Sequence, residues 1–300
     1  MRPEVAKAIF GFLIPASLTV AALLVAALSG RTKQQRGNAG AWALPAAVAA
    51  ALAIMWLARA WDVRDRWIWA LPASLAVSLA WAACLTPRPR RRRSRRIMLI
   101  ATALITAGAA GALMWPTYFS DQSLGERLLL PGFILVAALL LYPLARGAHV
   151  ADLACIALCA ASLAPIVLWC GVEVMMDFIL PLAAIPACAA ALGWLIRGRR
   201  RHQRRRAFAA GGYAVALILP IWAMSAWSSM RDDLPMTMAI ALPLPCCAVL
   251  LLWIGRIPAL ARRPWLAALA SFLAVAAACA AAIWLGTLGA DLEVYELPPM

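Results

Sequence analysis

Two carboxylates stand where charge is least expected. Glu173 and Asp177 sit in the shortest acidic turn, inside an otherwise apolar stretch from 153 to 196. At i, i+4 they share one face of a helix. Pointed into a low-dielectric bundle, one of the pair would keep its proton or hold a cation, which is the chemistry of an ion or proton site. The competing reading puts both in interfacial water as markers of the turn, and the few residues between the flanking apolar runs favour it.

The remaining candidates are weaker. His149 and Asp152 stand three apart, the spacing of a base and an orienting carboxylate, but no nucleophile or metal partner accompanies them. His202, the second of two histidines, falls in an Arg-rich loop, so a metal-dependent membrane hydrolase is not expected. The eight cysteines (Cys84, Cys155, Cys159, Cys170, Cys188, Cys246, Cys247 and Cys279) fall in or beside apolar runs and form no C-x-x-C. They read as reduced, packed hydrophobes. Cys155 and Cys159 share a helix face, yet a soft-metal site there lacks further ligands in the sequence. Neither G-x-S-x-G, nor a phosphate-binding Walker loop, nor H-E-x-x-H occurs. No catalytic motif and no cofactor are expected.

What must position these residues is a membrane-embedded bundle. The chain is 65% hydrophobic and 14% charged. Its apolar residues come in runs of about 20, the length of helix that crosses about 30 Å of hydrocarbon. Backbone amides find no water there, so the runs must be helical. Ten fall at approximately 8–29, 41–61, 67–85, 97–115, 128–145, 153–170, 178–196, 208–227, 235–254 and 265–286. The expected fold is therefore all-α, a single transmembrane domain of about ten helices with a loose tail at 287–300.

Charge sorts the loops. Segments 31–37, 86–96, 146–152, 197–206 and 255–264 carry 21 of the 28 basic residues and one acid, Asp152, for a net +20. The other side carries 7 basic residues and 12 acids, for −5. Basic loops stay in the cytoplasm, so both termini are expected outside it. Segment 146–152 gives almost no bias and takes its side from its neighbours. Arg2, Lys7 and Ala27-Leu28-Ser29 also resemble a secretory signal. Cleavage there would place Arg31, Lys33 and Arg36 against the pattern of every later loop, which favours a retained first helix. Arg outnumbers Lys by 26 to 2, and alanine is abundant, as in a GC-rich bacterial genome. The expected location is the bacterial inner membrane.

The net charge of +15 does not mark a nucleic-acid binder here. Arg90, Arg91, Arg92, Arg93, Arg204, Arg205 and Arg206 lie beside a leaflet rich in anionic phospholipid, where each gains about 1 kcal/mol. The mixed-charge turns around Arg59–Arg66, Asp121–Arg127 and Arg231–Asp233 read as solvated loop ends, with local ion pairs worth at most about 1 kcal/mol.

Trp61, Trp115, Trp169, Trp227 and Trp284 recur at steps of 54, 54, 58 and 57 residues, each followed by acids. The next run then opens on an apolar pair and a proline: Pro15, Pro72, Pro131, Pro181 and Pro243 mark these positions. The pattern describes five successive helical hairpins. Bilayer thickness and the interfacial preference of tryptophan account for it as well as duplication does. Two function classes follow. One is a structural or accessory membrane protein that binds lipids or membrane-protein partners through its helix faces. The other is a transporter or channel for a small solute or cation, using Glu173 and Asp177.

Overall fold

The computed structural model describes residues 9–28, 33–58, 69–85, 124–195, 202–229 and 234–295, together with part of 97–111. A π-helical turn Ile9–Leu13 runs into α1 (Ile14–Leu28). There follow α2 (Lys33–Ala58), α3 (Ala70–Leu85), α4 (Leu124–Arg146), α5 (Val150–Trp169), α6 (Glu173–Leu195) and α7 (His202–Ser229). The next span is broken into α8 (Met236–Ala241), α9 (Leu244–Ala248) and a 3-10 helix Val249–Arg256. A short α10 (Pro258–Ala261) and a long α11 (Pro264–Tyr295) complete the described residues. No strand occurs among the described residues. The protein is an all-α, multi-pass membrane protein.

Eight of the described helical stretches are long and apolar enough to cross a bilayer. The third expected span is α3, whose 16 residues cover about 24 Å. The fourth falls in 97–111, where the residues described are helical. Helix ends depart from the expected limits mainly at α2, which begins at Lys33, at α7, which begins at His202, and at α11, which continues to Tyr295 through much of the expected tail.

The helices alternate in direction, and close approaches across the bundle show it. Trp81 near the end of α3 donates its indole N–H to the Ala210 carbonyl near the start of α7, at 3.2 Å. A Cβ on Gly193, late in α6, would meet Val150 at the start of α5. On Gly289, late in α11, it would meet Met238 at the start of α8. Residues next to basic loops thus meet one another, and residues next to acidic loops do likewise.

The core centres on α7. Of Ala207–Ser229, 89% is buried, against 28% of Pro264–Ala290 in α11, so α7 is the hub and α11 lies at the periphery. Alanine, glycine and serine let neighbours approach α7 closely, the packing that drives helix association in lipid. Gly212 is the tightest point: a Cβ there would collide with the Leu153 side chain. Larger groups fill the remaining space. Phe178 of α6 stacks on Trp222 of α7, with centroids 5.1 Å apart and planes 10° from parallel. Trp81 meets Tyr142 edge-on at 6.4 Å.

The register prolines act differently from one another. Pro72 is the third residue of α3, where a missing N–H costs little, whereas Pro15 directly follows the π-helical turn Ile9–Leu13 inside a continuous helical stretch. Pro131 and Pro181 lie in the interiors of α4 and α6, because those helices begin a turn or more before the apolar run does. At Leu242-Pro243 the helix breaks, where Pro243 and Pro245 stand two apart.

Candidate functional site

The best-defined polar site lies where α5 begins. His149 is the N-cap of α5, and Asp152 is its third residue. The His149 backbone N–H donates to Asp152 Oδ2 at 2.9 Å, closing a cap over the first turn. Two groups from distant elements reach the same oxygen. The Tyr213 hydroxyl of α7 donates at 3.0 Å, and Arg256 Nη2, at the last residue of the 3-10 helix, donates at 2.8 Å. The Asp152 side chain is 9% exposed and that of Arg256 is 20%. Tyr213 is fully buried.

This arrangement consumes the carboxylate. Three donors, one of them a guanidinium, converge on one of its oxygens where water is scarce. Among the described residues no set of three or more histidine, cysteine or acidic groups converges on a metal-sized space. Close by, the Arg146 guanidinium lies 5.7 Å from the centre of the Tyr142 ring. Chemically the cluster is a fastener: it ties the start of α5 to α7 and to the end of the broken span.

Asp152 was visible in the sequence as the lone acid among the basic loops. Its partners were not. Arg256 is 104 residues away and Tyr213 is 61, and neither stands in a motif. The signal available was electrostatic, since a carboxylate isolated on the +20 side needs a cation, and 255–264 is one of the segments that supply it.

The carboxylates at the acidic end fare differently. The turn that carries them is tight. Gly171 adopts φ 76°, which a side chain would oppose, and the Val172 N–H closes back on the Val167 carbonyl at 3.4 Å. Glu173 then opens α6, and its side chain lies outside the described residues. Asp177, one turn on, is 5% exposed. It sits next to Phe178 of the aromatic stack, with its side chain buried. Arg90, Arg91, Arg92 and Arg93 lie outside the described residues, as do the side chains of Arg204, Arg205 and Arg206.

A cavity of about 250 Å³ opens at the acidic-loop half of the bundle. Leu129 and Phe133 of α4, Pro220 and Trp227 of α7, and Leu242 and Cys246 of the broken span line it. Among the described residues, no charged one lines it. The chain matches no family model, and neither a curated protein nor a solved structure matches it.

Proposed function

We propose that the protein is a structural or accessory component of a bacterial inner membrane, engaging lipid or partner membrane helices through its outer faces. The observation that carries this reading is the Asp152–Tyr213–Arg256 cluster. A carrier needs an ionisable group whose partner can be exchanged during its cycle. Here the Asp152 carboxylate is spent on holding three elements together. Large side chains fill the space around α7, and the cavity beside it is apolar. The exposed faces of α1, α4 and α11 carry Leu24, Val25, Leu128, Val136, Leu273 and Trp284, surface suited to lipid or to another membrane helix. The basic loops set the orientation and rest on anionic phospholipid, and both termini face the periplasm.

The test is reconstitution. Vesicles containing the full chain should show no proton or monovalent-cation flux above empty vesicles. In-membrane cross-linking from positions on α1 and α11 should capture a discrete partner or lipid. Robust flux in the parent overturns the reading.

A second reading rests on Asp177. A carboxylate buried one turn inside a span is a usual mark of an ion or proton pathway. If the protein is a transporter, Asp177→Asn abolishes flux while leaving the folded bundle intact. Equal flux in variant and parent removes Asp177 from that role.

A further inference from the structure

One face of α5 carries a line of sulfur. Cys155, Cys159, Ser162, Ile166 and Cys170 follow one another at steps of four, three, four and four, which keeps them in one stripe. The stripe faces α11 and the broken span. Cys159 and Cys279 of α11 are both buried, and their Sγ atoms are 4.0 Å apart. Further along, Cys170 Sγ lies 3.5 Å from Met238 Sδ of α8, and both residues are buried. The Ser162 hydroxyl donates to the Cys159 carbonyl at 2.9 Å. Two sulfur pairs therefore bridge different helices from one face of α5, about 16 Å apart along its axis.

We propose that Cys159 and Cys279 form an interhelical site for one soft monovalent metal ion of the Cu(I) class, with Cys170 and Met238 as a second soft pair on its approach. Distance selects the chemistry. With a metal–sulfur bond of about 2.3 Å, two sulfurs on one ion stand about 3.8 Å apart in tetrahedral geometry and about 4.6 Å apart in linear geometry. The observed 4.0 Å is short of the linear limit by about 0.6 Å, so a two-coordinate ion requires the two sulfurs to part by that much, a shift within the reach of cysteine side-chain rotation. A disulfide would need the same atoms to close to about 2.05 Å.

Ligand number selects the metal. Zinc requires four ligands, and among the described residues no third or fourth donor converges on the pair. Cu(I) is soft, favours thiolate and thioether, and is satisfied by two sulfurs. Charge fits as well. One Cu(I) ion binding to two thiols with loss of one proton gives a neutral thiolate–thiol complex, which avoids burying a net charge in the membrane interior. The oxidation state of the metal and of both sulfurs is unchanged. Thiol and thioether at Cys170 and Met238 are neutral donors of the same soft type, suited to passing an ion on.

The experiment uses the full chain, reduced and oxygen-free in lipid nanodiscs, titrated with Cu(I) against a chromophoric Cu(I) chelator. The parent should withdraw about one equivalent, and Zn(II) should not compete. Supporting groups around a metal already contribute up to about 100-fold in affinity, so Cys159→Ser with Cys279→Ser should lose at least that. Cys188→Ser, which touches neither pair, should bind as the parent does. Cys170→Ser should slow loading with little change in the final amount bound. X-ray absorption of the loaded parent gives a readout that needs no variant to fold, and it should show two sulfurs and no nitrogen or oxygen ligand. Failure of the parent to take Cu(I) from the chelator overturns the proposal. So does a nitrogen- or oxygen-bound metal, or undiminished binding by the folded double variant.

Discussion

The two ends of this bundle are held by different chemistry. At the basic-loop end a carboxylate, a phenol and a guanidinium from three elements meet on one oxygen atom, within 3.0 Å. Toward the acidic-loop end the same helices meet through a ring stack, sulfur contacts and an apolar cavity. A polar cluster is specific because each member has few alternative partners, and it fails abruptly when one is removed. Apolar packing degrades gradually, because many small contacts share the load. The first end should therefore fix how the helices are arranged, while the second tolerates adjustment.

That contrast can be broken by substitution. Arg256→Ala leaves Asp152 buried without its cation and should cost about 3–5 kcal/mol, read by denaturant titration in mixed micelles. A loss below about 1 kcal/mol would show that the cluster carries no such weight. Replacing both partners with apolar groups, Asp152→Leu with Arg256→Met, should cost far less than the two single changes together, because no charge is then stranded. At the other end, Trp222→Ala removes half of the stack and should cost about 3 kcal/mol or somewhat more by cavity formation. Its transition should broaden instead of splitting the bundle at one point. Tyr213→Phe removes one of the hydrogen bonds on Asp152 and should cost about 1 kcal/mol, the range of interhelical bonds in membranes. The smallest effect belongs to the cavity. Ala239→Val adds two methyl groups to its lining and should change stability by less than about 1 kcal/mol, in the stabilising direction if the space is empty. A larger destabilisation would mean that the cavity is already filled in the membrane.

Much of the fold was legible because the bilayer imposes it. Span length, span number and the separation of +20 from −5 all follow from one physical constraint, and the alternating helix directions agree with them. What the bilayer does not dictate was not legible. Nothing local distinguishes Pro181, which α6 accommodates, from Pro243, where the helix breaks, until Pro245 is weighed with it. The hub role of α7 left only a faint signal, a span less apolar than those of the peripheral α1, α4 and α11. Asp152 could be singled out by its sign alone, but Tyr213 and Arg256 reach it only through tertiary packing. The carboxylate pair at Glu173 and Asp177 was read as an interfacial marker, and the depth of Asp177 depends on where α6 starts, which a few residues of boundary decide.

The 3-10 winding of Val249–Arg256 bears on length. Eight residues advance about 16 Å in that form, against about 12 Å in an α-helix. A span of 21 residues interrupted at Leu242-Pro243 thereby gains about 4 Å of reach at its basic-loop end. That stretch carries the guanidinium of Arg256 to the depth of Asp152, so the tighter coil works as a spacer. Rewinding it to α would shorten the span by about three-quarters of a turn and draw the cation back from its anion.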